Sequence, residues 1–457
     1  MSRRLFGTNG IRGIIGQDFT PIFIAKIGQA IGTYFSGKSI LIAKDARTSS
    51  DFIANIIKAC LVATGCEVHD LGYAPTPVMQ YLVKREKFDG GIMITASHNP
   101  PEYNGIKVIG PNGVEIPRRE EEKIENVFWE EKFNLVAYDR VGKVHNVEYL
   151  IKNYIDDVIS RANIDRIRES NFKIIIDCAN SVASTIMPEI LRRIGVKFIS
   201  VNANLDGTFP GRLPEPIPET LKDTISMTIH SDVHFGVAYD GDVDRAIFIT
   251  KEGEVLWGDR SGTLLTMHLA EKEKVSNIVV TPVSSSVLVE EVLSNYGLKI
   301  EWTPVGSIHV SYKILETNAL TGFEENGGFL YPKHHPVRDG IMTTILMLEY
   351  LAESRKTLTE AYRELPRYYP VKTKVKLEFK DREKVSKIIE EIAKKFENYR
   401  QVRIDGVKVF LDNGWFLIRP SGTEALIRIF VEHKEKKEAE NLANSLVSLV
   451  KELIKTI

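Results

Sequence analysis

One feature constrains this chain most: a strand–helix–strand unit that returns three times. Residues 39–47 (SILIAKDAR), 172–181 (FKIIIDCANS) and 277–286 (NIVVTPVSSS) are apolar runs ending in polar, turn-prone residues. Each is followed by apolar residues at three- and four-residue spacing, which predicts a helix, and then by a glycine and a second β-branched run. Those restarts are TGCEVHDLG at Thr64, IGVKFISVN at Ile194 and YGLKIEWTPVG at Tyr296. A third apolar run in each unit opens into a glycine-bearing polar loop: DGGIMITASHNP, HFGVAYDGDVDRAIFI and ALTGFEENGG. Internal repetition of this kind specifies α/β units with mixed sheets. Ligands of such sheets bind beyond the carboxyl ends of the strands.

At 457 residues the chain exceeds what one hydrophobic core sustains, so several domains are expected. After about Tyr368 the pattern changes. VKTKVKLEF alternates as a half-buried strand, residues 381–396 read as an amphipathic helix, and VKVFLDNGWFLIRP reads as a hairpin about Asn413-Gly414. ALIRIFVE and a helix from about Lys434 complete a βαββα order, the mark of an α+β domain. The expected segments are therefore 1–148, 149–252, 253–367 and 368–457: three related α/β units and a differing fourth, with an active site in the central cleft.

Sixty Lys and Arg face sixty-one Asp and Glu, for a net charge of -1. No basic excess exists to neutralise nucleic acid, and no polybasic block to hold an anionic membrane. Cys60, Cys66 and Cys178 form no CxxC pair, which argues against structural zinc or a redox couple. The basic start lacks a following apolar run, and no run of eighteen apolar residues occurs. The expected location is the cytoplasm, as a monomer or homodimer.

Four loops carry chemistry. TASHNP places Ser97 beside His98 on a strand-ending turn, a nucleophile with a proton-handling neighbour, although taken alone the pair reads more readily as a simple turn. DGDVDR sets Asp240, Asp242 and Asp244 at alternate positions, with Gly241 relaxing the backbone. Such an all-oxygen set selects a hard cation, and magnesium is the abundant one. A phosphorylated serine near three carboxylates needs cations; Arg245 is adjacent in sequence, and Arg12 and Lys107 are further candidates. GFEENGG offers Glu324 and Asn326 to sugar hydroxyls, or is a flexible polar loop. RPSGTE supplies Arg419 with Ser421, Gly422 and Thr423 for a phosphate. Its S-x-x-E spacing also fits a helix capping box, but a strand pattern follows instead of a helix.

Together these loops resemble the α-D-phosphohexomutase family, which includes phosphoglucomutase, phosphomannomutase and phosphoglucosamine mutase. The likeness runs from FGTNGIRG at Phe6 to RPSGTEALIRI at Arg419, and EENGG resembles archaeal members. The resemblance implies an interconversion of hexose 1-phosphate and hexose 6-phosphate. It implies Ser97 as the phosphoserine, Mg²⁺ on its phosphate and on Asp240, Asp242 and Asp244, and a hexose 1,6-bisphosphate as intermediate and activator. Arg12, Lys107 and Arg245 would surround the transferring group, with Lys107 or His98 moving protons. Glu324 and Asn326 would read the sugar, Arg419 to Thr423 would hold the other phosphate, and a mobile fourth domain would let the intermediate turn. Two departures bear on sugar choice: Asn326 replaces the serine of many relatives, and Ile308 stands where several carry lysine, with His309 beside it.

Overall fold

A computed structural model describes residues 4–456 except residue 8, residues 378–380 and residues 422–424. Its three α/β sheets repeat one strand order. In the first, Ser39–Lys44 lies between two parallel neighbours, Glu67–Tyr73 and Gly90–Ile94, and Tyr103–Ile109 adds antiparallel beyond Gly90–Ile94. In the second, Lys173–Asp177 lies between Lys197–Val201 and Phe235–Tyr239, with Ala246–Thr250 antiparallel beyond. In the third, Ile278–Pro282 lies between Lys299–Thr303 and Thr321–Phe323.

Gly90–Ile94, Phe235–Tyr239 and Ala246–Thr250 are buried along their whole length. That is why they read as continuous apolar runs and not as alternating ones. Helix starts are as local as the strands. Thr20 caps Pro21–Tyr34, accepting from the Phe23 N–H, and proline fills the first turn, where no N–H is needed.

The chain divides into two compact units, residues 1–258 with 326–359, and residues 259–325 with 360–457. This division cuts through the expected third segment: residues 259–325 group with the C-terminal residues, and residues 326–359 group with residues 1–258. The C-terminal sheet is wholly antiparallel, in the order Tyr369–Lys376, Leu426–His433, Gly414–Pro420, Val407–Leu411, Gln401–Val402. It has more strands than the βαββα expectation. Gln401–Val402 is two residues long, too short to leave a pattern in sequence. Its core gathers Ile388, Ile392, Phe416, Ile418, Ile427, Ile429 and Val450 beneath the helices Arg382–Lys395 and Lys436–Thr456.

Within the second unit, buried polar groups fasten the C-terminal sheet to the segment before it. Lys408 Nζ donates to the Ser285 carbonyl at 2.5 Å and lies 4.0 Å from the ring centres of Trp302 and Trp415. Glu432 accepts from Trp415 Nε1 at 2.8 Å, from Arg260 Nη2 at 3.0 Å and from the Ser286 hydroxyl. Burial pushes the Lys408 ammonium down to about 7, against the pull of Glu432 and Asp259. A C-terminal domain swinging alone would have to break this network. Among the described residues no helix is long and apolar enough to cross a membrane.

Candidate active site

Ser97 sits at the end of Gly90–Ile94, fully buried, with φ of +51°. A left-handed serine costs energy, so its surroundings must hold it there. They do so from both sides. The Ser97 N–H donates to Thr95 Oγ1 at 2.8 Å, and Thr95 Oγ1 donates to Asp45 Oδ2 at 2.6 Å. Arg47 then clasps the loop from beneath. Its Nη1 donates to the carbonyls of Pro100 (2.7 Å) and Tyr103 (2.9 Å), and its Nη2 to those of Ser97 (2.8 Å) and Asn99 (2.5 Å). Its Nε is 3.2 Å from Asp45 Oδ2, so one buried ion pair and four carbonyls share a single guanidinium.

The second loop meets the first directly. Ser97 Oγ donates to Asp240 Oδ2 at 2.8 Å, and His98 Nδ1 lies 3.3 Å from the same hydroxyl. A Cβ on Gly241 would stand 2.5 Å from the Ser97 carbonyl oxygen, so glycine alone permits this approach. Asp240, Asp242 and Asp244 are buried and offer ligand oxygens within 4.8 Å of one another. Asp242 Oδ1 and Asp244 Oδ1 are buried without a hydrogen-bond partner. Orphaned buried carboxylate oxygens are costly, and a hard divalent cation would satisfy them. The donor set therefore fits the expected magnesium.

Cations close the cluster. Lys107, on Tyr103–Ile109, is 2.8 Å from Asp242 Oδ2 and 3.4 Å from Asp244 Oδ2. Arg245 Nε lies 3.9 Å from Asp240 Oδ2 and 3.8 Å from Asp244 Oδ1. Arg12 is aligned by the pairing of Ile11–Ile14 with Tyr103–Ile109, where it faces Gly105, and its Nη1 donates to Asn99 Oδ1 at 2.5 Å. Two members were not read from the sequence. Arg338 donates through Nη2 to Asp244 Oδ2, and Thr76 Oγ1 donates to Asp242 Oδ2 at 2.6 Å. Arg338 ends the strand His335–Arg338 just before the helix Gly340–Ser354. That strand-to-helix turn, PVRDG, is the same kind of signal that marked the other loops. Thr76, at the start of the helix Thr76–Arg85, left no comparable mark.

The electrostatics follow from this crowding. Burial raises Asp240 well above the carboxylate range, and Asp244 and Asp242 push it further. Burial works against Asp242 too, but Lys107, Thr76 and Arg338 hold it far below. For Lys107, burial is outweighed by Asp242, Asp244 and Glu115, and the ammonium is stabilised. Arg245, burial, Arg12 and Arg338 together push the His98 ring well below its ordinary value, so it is neutral. Four cations against three carboxylates make a site disposed to receive an anion.

Of the remaining expected residues, Asn326 opens the 326–359 segment of the first unit, and Glu324 and Arg419 belong to the second. Glu324 is buried at the end of Thr321–Phe323, where the Phe323 carbonyl accepts from Thr281 Oγ1 at 2.8 Å. Asn326 Oδ1 accepts from the Gly328 N–H at 3.1 Å, a local turn. His309 is exposed by surface area; desolvation lowers its pKa while Asp405 and Glu324 oppose the shift. Arg419 lies at the end of Gly414–Pro420. The Ser421 N–H donates to the Leu426 carbonyl at 2.9 Å, next to the antiparallel pairing of Gly414–Pro420 with Leu426–His433. Gly422 and Thr423 lie outside the described residues.

Four sequence families match in order along the chain. They are the α/β/α domains I, II and III of phosphoglucomutase/phosphomannomutase at residues 3–135, 152–253 and 257–369, and the C-terminal domain at 374–449. The chain belongs to the phosphoglucomutase/phosphomannomutase family. A phosphoglucosamine/phosphogalactosamine mutase of Sulfurisphaera tokodaii is 45% identical, over 98% of this chain and 99% of its own. A phosphoglucomutase/phosphomannomutase of Thermococcus kodakarensis is 38% identical, over 99% of both chains. A crystal structure of a family protein from Burkholderia thailandensis has the same fold, with TM-score 0.88 and 24% identity over 98% of this chain and 97% of that one. This phosphohexomutase is thus an intramolecular phosphotransferase, an isomerase that interconverts hexose phosphates.

Proposed function

We propose that the mutase works through a phosphorylated Ser97, with glucosamine phosphates as its preferred substrates. The observation that carries the covalent reading is the Ser97 hydroxyl, buried and 2.8 Å from Asp240 in a cluster surplus in cations. Asp240, Asp242, Asp244 and the Ser97 phosphate would hold Mg²⁺, which supplies charge neutralisation at the phosphate oxygens. A sugar hydroxyl attacks the phosphorus, the P–O bond to Ser97 breaks, and the hydroxyl proton must leave. His98, 3.3 Å from Ser97 Oγ, is placed to take it, and Lys107, held as an ammonium, can return a proton to the serine oxygen. Arg12, Arg245 and Arg338 stabilise the charge on the moving group.

The product of that step is a hexose 1,6-bisphosphate. After it turns, its other phosphate returns to Ser97. In this scheme Glu324 and Asn326 read sugar hydroxyls, and Arg419 with Ser421, Gly422 and Thr423 holds the phosphate that is not being transferred. The amino-sugar preference is drawn from the name of the relative at 45% identity. Three buried cysteines without a disulfide suit a reducing cytoplasm.

The test is a kinetic comparison of glucosamine, glucose and mannose 1-phosphates with a trace of the bisphosphate, beside intact-mass analysis. The scheme expects 6-phosphate products, a phosphate on Ser97 and a glucosamine kcat/KM about tenfold or more above the others. Release of free phosphate instead would identify a phosphatase. Full turnover by Ser97→Ala would end the covalent scheme.

A further inference from the structure

Arg419 is already engaged in the structure. Its Nε, at 3.0 Å, and its Nη2, at 2.8 Å, both approach Oδ2 of Asp405. The two side chains are only 13% and 18% exposed, so the pair is not a loose surface contact. Among the described residues Nη1 has no partner, which leaves part of the guanidinium fork for an outside anion. The backbone is shaped to make this pair. Gly406 has φ of +85°, and a Cβ there would stand 2.1 Å from the Ile418 carbonyl oxygen and 2.7 Å from Arg419 Cα. Only glycine lets the loop lie flat against the backbone of Arg419, and that contact delivers Asp405 to the guanidinium.

Asp405 also reaches the preceding segment. The same Oδ2 accepts the backbone N–H of Val305 at 3.2 Å, in the turn between Lys299–Thr303 and the helix Ser307–Thr317. That helix carries His309, which feels the charges of both Asp405 and Glu324. One carboxylate oxygen therefore joins the phosphate-loop arginine to the turn that starts this helix.

We propose that Asp405 is a positioning residue for phosphate recognition. It holds one edge of Arg419 so that the other edge meets the phosphate that is not being transferred. The inference rests on the role given to Arg419 above. An unheld arginine must lose rotational freedom when an anion binds, and Asp405 removes that freedom beforehand. A carboxylate so close also neutralises part of the arginine charge. The alternative is therefore that Asp405 competes with phosphate, and the two readings predict opposite changes in KM.

The experiment is a double-mutant cycle on full-length enzyme with a hexose 1-phosphate as substrate. Asp405→Ala is expected to raise KM about tenfold while kcat changes less than about threefold, and to add nothing in an Arg419→Ala background. Asp405→Asn, which retains an acceptor without the charge, is expected to fall between wild type and Asp405→Ala. Should Asp405→Ala fail to fold by denaturant titration, Asp405→Asn carries the same comparison. A KM that falls makes Asp405 a competitor and overturns the proposal, and so does an additive double mutant. If Arg419→Ala itself leaves KM unchanged, the role of Arg419 fails first, and that outcome is distinct from the others.

Discussion

Replacing Arg47 tests the idea that Ser97 is held in place from beneath. Arg47→Met removes five hydrogen bonds at once, four to the carbonyls of Ser97, Asn99, Pro100 and Tyr103 and one to Asp45. Truncating one partner of a buried ion pair costs about 3–5 kcal/mol, because the other charge stays behind without compensation. Asp45 would not be wholly abandoned: Ser50 and Thr95 hydroxyls donate to it at 2.7 and 2.6 Å, as does the residue 47 backbone N–H. Burial already raises its pKa and Arg47 is the largest opposing influence, so protonation would cap the cost. The orphaned carbonyls add roughly 1–3 kcal/mol each where water does not reach them. Even with those discounts the net loss is expected at about 5 kcal/mol or more, a large share of the 5–15 kcal/mol typical of a domain.

Arg47→Met therefore folds poorly, and Arg47→Lys is the sharper variant. It retains a cation near Asp45 but has no fork for four carbonyls. It should fold, yet lose about a hundredfold in kcat as the Ser97 turn relaxes. Hydrogen exchange of the amides at residues 96–103, beside kcat, is the assay. If Arg47→Lys exchanges and turns over like wild type, the clasp does not position the serine.

Other outcomes follow from the same geometry. Mg²⁺ at a hundred times its Kd should stabilise the protein by about 2.7 kcal/mol, and Asp242→Asn should abolish that shift in a thermal melt. His335 is buried, with Nε2 3.2 Å from the Gly113 carbonyl, and burial lowers its pKa to about 3. Between pH 6.5 and 3 the unfolded chain binds a proton that the folded one refuses, so stability falls as the pH falls. The slope is up to about 1.4 kcal/mol per pH unit, and His335→Gln should flatten that part of an acid titration. Lys408 has the same sign in an alkaline window. With its folded pKa near 7 and an unfolded value near 10.4, the second unit should gain stability as pH rises between them. In Lys408→Met that gain should vanish from alkaline melts.

Much of this molecule was legible before any coordinates. Strands buried on both faces must be continuously apolar, so the repeated runs at residues 39–47, 172–181 and 277–286 announced three similar sheets. A polar, glycine-bearing loop at a strand end singled out the three aspartates, whereas Ser97 taken alone read as a turn and stood out only through the family resemblance. The C-terminal strand order was only partly legible. A two-residue strand such as Gln401–Val402 has no periodicity to detect.

What sequence alone determined is most of the elements and the residue types each loop offers, since both depend on neighbours within a few residues. The tertiary structure decided which distant groups share a charge. Arg47 and Arg338 are ordinary arginines in sequence; burial beneath Ser97 and against Asp244 makes one a clasp and the other part of the anion site. No sequence motif singles out Asp405, and only the packing of Gly406 onto Arg419 brings its carboxylate to a guanidinium fourteen residues away. Long-range pairing of this kind leaves no period in a sequence, because its partners are chosen by how the sheets and loops pack.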